Sequence, residues 1–326
     1  MVKIGNIEVG DFPIILAPME NITDQPFRKI CKRFGADLMF TEFISSEGLI
    51  RDAQKSVKKL NISEEERPIG IQIFGHNIDF MSKAAQMAEE SNPDFIDLNF
   101  GCPVKKVVSK GAGAAMLKDI PKLINITKAV IKSTKLPVTV KTRLGWDVNS
   151  KIITPDFTER LQDIGVKALS IHARTKTQLY KGISDWTLIG KIKNNQRLKI
   201  PVFGNGDIDS PEKALLMKNK YNVDGIMIGR ASIGYPWIFN EIKYFFKNNK
   251  LAEPPDINER VKVCKEHLYA SIDLKGERRA INEIRKHYHN YFKSYKNFKR
   301  FKLRLYEATE LEDLLLIFDD ILLNYS

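Results

Sequence analysis

Eight short apolar runs, each separated from the next by about one strand-plus-helix unit, dominate the first part of this 326-residue chain. They are Ile14–Ala17, Leu38–Thr41, Ile69–Phe74, Phe95–Asn99, Val138–Thr142, Ala168–His172, Val202–Asn205 and Gly225–Ile228. Runs this short, bounded by turn residues, read as strands. Between them lie stretches of helical spacing. Asp24–Phe34 carries apolar residues at Phe27, Ile30, Cys31 and Phe34, and Asp79–Glu90 and Pro121–Ser133 behave alike. Ser210 before Pro211 is a helix start, with serine as N-cap and proline at the first position. Two architectures accommodate the alternation: a closed TIM barrel and an open doubly wound sheet. Polar and glycine-rich residues follow nearly every run, whereas an open sheet would gather them at one switch point. The expected fold is therefore α/β, a TIM (β/α)8 barrel over residues 1–250.

The composition changes at residues 251–256 (LAEPPD), which read as a linker. Beyond it the pattern is helical with no strand signal, so a small C-terminal all-helical domain is expected over residues 251–326. Between Lys275 and Arg304 stand eleven Lys/Arg against two carboxylates, most of the chain's net charge of +12. A basic segment of this density fits a polyanionic partner. Aromatic residues interleave with it. At near-helical spacing such rings are more often core than base platforms, so Ile281, Ile284, Tyr288 and Tyr291 are expected to pack inward. A hydrophobic share of 43% is enough for a sizeable core and excludes wholesale disorder. No apolar run of about 18 residues exists to span a membrane. The three cysteines, Cys31, Cys102 and Cys264, are far apart and form no CxxC pair. That pattern argues against a disulfide framework or a metal site, and for a reducing, cytoplasmic compartment. No obligate protein partner is evident.

Barrel active sites lie at the C-terminal ends of the strands. The residues there are Ala17-Pro18-Met19-Glu20-Asn21 with Thr23-Asp24, Asn99-Phe100-Gly101-Cys102-Pro103, Lys141-Thr142-Arg143, His172-Ala173-Arg174, Gly204-Asn205-Gly206-Asp207 and Gly229-Arg230; Gln72 lies within the third strand. Glycines after the seventh and eighth strands suit phosphate binding by backbone N–H groups, against the plainer reading of tight turns. Lys141 ends an apolar strand, where a lysine is costly to bury unless it meets an anion. Cys31 and Cys264 sit in helical patterns and read as core, whereas the loop around Cys102 exposes a thiol able to act as nucleophile or proton donor. The position of His172 suits anion contact.

Taken together, Ala17-Pro18-Met19, Thr23-Asp24, Gln72, Leu98-Asn99-Phe100-Gly101-Cys102-Pro103 with Gly111-Ala112-Gly113, Val140-Lys141-Thr142-Arg143-Leu144-Gly145-Trp146, His172-Ala173-Arg174-Thr175 with Tyr180-Lys181-Gly182, Gly204-Asn205-Gly206-Asp207 and Gly229-Arg230-Ala231 resemble the tRNA-dihydrouridine synthase family, specifically its bacterial DusB-like branch. The resemblance continues weakly at Arg285-Lys286-His287. It implies FMN across the barrel mouth, with NADPH or NADH as reductant and tRNA as partner. Backbone atoms of Pro18, Met19 and Glu20 would line the flavin ring, and Gln72 and Lys141 would hydrogen-bond it. His172, Asn205, Gly206, Asp207, Gly229 and Arg230 would hold its phosphate end. Asn99 would face the uracil, and Arg143, Arg174, Arg285 and Lys286 would meet RNA. Hydride would pass from flavin N5 to uridine C6 and a proton from Cys102 to C5, a D-loop uridine such as position 17 being the target. Family members often carry small residues after Pro-Met, so the Glu20-Asn21 here bears on a side-chain role for Glu20 but leaves its backbone contact intact. Two rivals stay open: a flavin barrel acting on a small molecule, and an RNA-binding barrel without catalysis.

Overall fold

The computed structural model describes residues 1–150 and 153–325. The barrel strands are β1 (Ile14–Leu16), β2 (Met39–Phe40), β3 (Ile69–Phe74), β4 (Phe95–Phe100), β5 (Val138–Arg143), β6 (Ala168–His172), β7 (Val202–Asn205) and β8 (Gly225–Ile228). They pair in parallel in the order β1-β8-β7-β6-β5-β4-β3-β2. A parallel bridge between Ile15 and Leu38 joins the ends of that order and completes the ring. The TIM barrel expected from the eight runs is the observed fold. Both β1 and β2 are shorter than their apolar runs, while β4 and β5 each extend one residue further.

Because strand side chains alternate, every second residue points into the ring. Ile15, Phe40, Phe95, Phe203 and Met227 form an apolar cluster with Ile4 and Val9 of an N-terminal antiparallel hairpin, Lys3–Ile4 against Ile7–Glu8. Neither this hairpin nor a two-residue strand, Ile44–Ser45, beside the end of β3 was among the expected elements, although Gly5-Asn6 within the alternating N-terminus is a hairpin-turn pair. Further along the same inward series stand Gln72, Asp97, Asn99, Thr139, Lys141, Arg143, His172 and Asn205. Cross-strand register sets Asn99 beside Lys141, Arg143 beside His172 and Asn205 beside His172. The interior is thus apolar at one end and polar at the other.

The outward series packs under the helices, which start where their caps predict. In α1 (Gln25–Arg33) Asp24 accepts from the Phe27 N–H, and in α2 (Pro211–Tyr221) Ser210 accepts from the Lys213 N–H. The C-terminal helices are α3 (Ile257–Lys275), α4 (Glu277–Tyr291), α5 (Lys299–Glu307) and α6 (Leu311–Tyr325). Ile281, Ile284, Tyr288 and Tyr291 are all buried in one core that also takes in Ile30 of α1 and Trp237. The helices therefore share a core with the barrel. They are also tied to the loop after β1: Lys275 pairs with Asp24 and, at 2.8 Å, with Glu283, and Lys286 Nζ donates to the Asn21 carbonyl at 3.2 Å.

The same loop is held from the other side by Arg28. Its guanidinium, 3% exposed, pairs with the fully buried Glu66 at 2.6 Å and donates to the Thr23 carbonyl at 2.9 Å. Removing one partner strands a buried charge. Arg28→Met is expected to lower unfolding free energy by about 3–5 kcal/mol in urea titration; a loss under about 1 kcal/mol would show that the pair is solvated.

Candidate active site

The polar end of the barrel opens into a cavity of about 1420 Å3. A chain of hydrogen bonds runs beneath it. Asp97 is fully buried and accepts from Thr139 Oγ1 and Gln72 Nε2, each at 2.5 Å. Burial pushes its carboxyl up to about 6, against the pull of Thr139, Gln72 and Lys141. Gln72 Oε1 accepts from Asn99 Nδ2 at 2.7 Å, and Asn99 Oδ1 accepts from the N–H groups of Cys102 at 2.8 Å and Gly101 at 3.1 Å. The loop carrying Cys102 is therefore fixed through side chains of three strands. Gly113, at φ +58, closes this loop: a Cβ there would stand 2.8 Å from the Cys102 carbonyl oxygen.

Cys102 is 7% exposed, less open than the loop's chemistry implies, because Val107, Ala112, Phe43 and Phe74 pack around it. Burial raises its thiol above the ordinary value, although the Val104 N–H opposes the shift. Near neutrality the group is a thiol, a proton donor rather than a ready nucleophile.

Lys141 lines the same cavity, half-buried. Among the described residues its side chain makes no hydrogen bond or ion pair. Burial first, then Arg143, pulls its ammonium down to about 8. A cation in this state awaits an acceptor. His172 lies nearby, and burial together with Arg143, Lys141, Arg174 and Arg230 holds its imidazole well below the usual range, so it is neutral. It can make the expected anion contact as a neutral N–H donor.

The arginines divide into two kinds. Arg143 is spent on carbonyls: Gly101 at 2.9 Å, Thr175 at 3.0 Å and Leu179 at 2.9 Å. Arg174, 1% exposed, grips both oxygens of Asp207 at 2.8 and 2.6 Å and the Lys181 and Gly182 carbonyls. Arg174 therefore lacks the free fork that an RNA phosphate contact requires, whereas Arg143 keeps only its Nη2, on the side of the Tyr180 ring. Asp207 also accepts from Arg230 at 2.8 Å, so its carboxylate faces protein while Arg230, half-exposed, borders the cavity. Gly206 stands at φ +131, which disfavours a side chain, and an added Cβ would crowd Ser184 Cβ at 3.0 Å and His172 Cδ2 at 3.2 Å.

Of the other expected site residues, Pro18, Met19, Glu20, Asn99, Asn205 and Gly229 line the cavity. The Glu20 carboxylate turns away to Lys59 at 2.5 Å, leaving its backbone. Asn205 Nδ2 donates to the Met227 carbonyl at 2.7 Å. Gln72 does not reach the cavity; it lies one inward step below Asn99, its amide spent on Asp97 and Asn99. Arg285 Nη2 donates to the Ala308 carbonyl at 2.8 Å within the helices, and only Lys286 is exposed. Asp97 escaped the sequence reading although an acid inside an apolar strand was a signal. Tyr180, which entered the sequence reading only as part of the resemblance and with no role, has its ring at the cavity rim, 5.6 Å from Arg143 and 5.0 Å from Arg230.

The donor set fits an elongated ligand with an anionic end: the uncommitted Lys141 at one part of the wall, and Gly206, Gly229, Arg230 and the start of α2 at another. Solved structures of similar shape include morphinone reductase in complex with tetrahydroNAD, with TM-score 0.52 at 13% identity over 77% of this chain and 91% of that one. An old yellow enzyme homologue from Zymomonas mobilis has TM-score 0.51 at 16% identity, over 76% of this chain and 93% of that one. These show a shared barrel. The family profile described as dihydrouridine synthase (Dus) matches residues 15–323. This chain belongs to the dihydrouridine synthase family.

A probable tRNA-dihydrouridine synthase of Rickettsia conorii is 40% identical over 88% of this chain and 86% of its own length. The tRNA-dihydrouridine synthase B of Pseudomonas putida is 38% identical over 93% and 89%. This dihydrouridine synthase is accordingly a member of the DusB-like bacterial kind. Cys31 and Cys264 are fully buried, so Cys102 is the thiol that reports on the site. Its alkylation by iodoacetamide should keep accelerating well above pH ~8.5, the midpoint of a free cysteine. A midpoint below ~7 would mean a stabilised thiolate and would remove the proton-donor role.

Proposed function

We propose that this chain is a flavin-dependent tRNA-dihydrouridine synthase that reduces the C5–C6 bond of a D-loop uridine, with position 17 the favoured target. The observation that carries this reading is the pair of groups facing one cavity: a thiol kept protonated by burial and an ammonium without a protein partner. FMN, when bound, would supply the electrons for saturating C5–C6, and NADPH or NADH would replenish them. Lys141 would meet the negative edge of the flavin ring, with backbone of Pro18, Met19 and Glu20 along it. His172, Asn205, Gly206, Gly229 and Arg230 would take the phosphate end, Asp207 serving to hold Arg230. Asn99 and Arg143 would border the uracil. Cys102 would give its proton to C5 and recover one from water. Gln72 would act through Asn99, keeping the thiol's loop in place.

A uridine in folded RNA must leave its stack to reach this depth, at a cost of a few kcal/mol. Binding of the remaining tRNA would offset that cost. The exposed cations of residues 251–326, proposed as a tRNA-binding domain beside a catalytic domain of residues 1–250, would supply phosphate contacts. A second cleft of about 610 Å3 at the seam is bordered by Lys55, Lys58, Lys59, Lys275 and Arg279 together with Asp24, Glu42 and Glu283, an excess of cations that is consistent with the same partner. Among the described residues no helix is long and apolar enough to cross a membrane.

The decisive experiment is mass spectrometry of unmodified tRNA after anaerobic incubation with the purified protein and NADPH. Two hydrogens gained at a D-loop uridine support the reading. No gain from protein that is yellow and bleached by NADPH would move the substrate to a small molecule. Cys102→Ala should keep the colour and its bleaching yet lose uridine reduction by roughly 10²-fold or more; normal turnover would remove Cys102 from the chemistry. Lys141→Met removes a desolvated charge, so the melting temperature of the flavin-free protein should hold or rise, while flavin reduction slows about tenfold or more. A fall in stability with unchanged reduction would mark Lys141 as merely structural.

A further inference from the structure

The cavity does not end at Arg230. It runs on into the seam between the barrel and the C-terminal helices. At about 1420 Å3 it exceeds the ~300–1,000 Å3 of a typical small-ligand site. Its far arm is bordered by Tyr235 after β8, by Pro254 and Pro255 of the linker, and by Arg260, Lys293 and Tyr295 of the helical region.

Arg260 sets the character of this arm. It is 6% exposed. Its Nε donates to the Pro255 carbonyl at 2.9 Å, and its Nη1 to those of Tyr291 at 3.0 Å and Lys293 at 3.4 Å. Its Nη2 donates no hydrogen bond among the described residues, and no carboxylate pairs with it there. An arginine cannot shed its charge when buried, so a free Nη2 facing a cavity needs an acceptor from outside the protein. Glu241 also borders this arm and feels the charge of Arg260 without pairing with it, and its carboxylate accepts from the Tyr235 hydroxyl at 2.6 Å. The rings of Tyr235 and Tyr295 stand 5.3 and 5.4 Å from the guanidinium carbon. Both tyrosines are half-buried and Lys293 is exposed. Aromatic faces beside fixed cations, with no free carboxylate on the helical wall, match a planar base joined to a phosphate. An apolar ligand would leave Nη2 unpaired, and the rings, which already flank the guanidinium and pack on Trp237, Phe298 and Tyr325, add an aromatic wall for a planar group.

We propose that this arm is a nucleotide subsite, with a base against Tyr295 and its phosphate between Arg260 Nη2 and Lys293. The inference rests on the proposed synthase function, which brings two nucleotide-bearing ligands to this cavity. The occupant is either an RNA nucleotide beside the target uridine or the adenosine phosphate of the nicotinamide dinucleotide. The subsite places one nucleotide at a set point along the cleft, beyond the general attraction of a basic surface.

The test compares Lys293→Ala and Arg260→Gln with a control, Lys132→Ala, which removes an exposed charge on a barrel helix, outside the cavity and outside residues 251–326. Dissociation constants for unmodified tRNA and for NADP+ are measured separately on each flavin-loaded protein, alongside flavin content and melting temperature. The two test variants should weaken one of these ligands by roughly tenfold, and the control by under about twofold. Weakened tRNA alone identifies the RNA nucleotide, and weakened NADP+ alone the dinucleotide. Lys293→Arg should restore the affinity. Arg260 also braces three carbonyls, so if Arg260→Gln fails to fold, Lys293→Ala decides. Unchanged affinity of Lys293→Ala for both ligands overturns the subsite, even while the wild type reduces tRNA. A wild type inactive on tRNA would sink the proposed function instead, and a loss of NADP+ affinity in Lys293→Ala would still support the subsite.

Discussion

The polar end of this barrel depends on one buried carboxylate. Asp97 sits where burial is expensive, and it is tolerated because Thr139 and Gln72 both donate to it at 2.5 Å. Gln72, having given its N–H to Asp97, presents its oxygen to Asn99. Asn99, having given its N–H to Gln72, presents its oxygen to the backbone of Cys102. Each link orients the next, so the direction of the donors at Asp97 decides where the thiol stands. A weaker anchor would leave the loop after β4 to its own glycines.

A second constraint is electrostatic. Lys141, Arg143, Arg174 and Arg230 converge on one rim, and among the described residues Asp207 is the acid that forms ion pairs with them, while Asp97 faces Lys141 from below. Arg143 and Arg174 are made rigid by carbonyls and by Asp207, so they shape loops. Lys141 is left over. The same cluster keeps His172 neutral and, with burial, keeps the rim receptive to an anion. Positive charge is thus held in place before any ligand arrives, and little reorganisation is needed when one does.

The C-terminal helices contribute to the site by position. Through Lys275, Lys286 and the shared core around Ile30 and Trp237, they are fastened to the loop after β1, which also walls the cavity. Arg260 fastens the linker to the end of α4. The cleft is therefore a product of two surfaces whose separation is fixed by buried packing rather than by surface ion pairs, which alone would add little.

The sequence by itself determined the barrel, because parallel strands buried on both faces must be short continuous apolar runs, and helices between them must start at capping residues such as Asp24 and Ser210. It also placed Cys102, Lys141, His172 and Gly206 at strand ends, where barrels keep their chemistry. What it could not convey was depth and partnership. Gln72 and Asn99 both point inward, yet one is floor and the other wall, since that depends on register across β3 and β4. Arg174 reads as a free cation until Asp207, distant in the chain, meets it. Arg285 reads as a surface charge until the helix packs it against Ala308. Alternation along a strand is a local property, whereas pairing of a charge is set by residues that only the closed ring brings together.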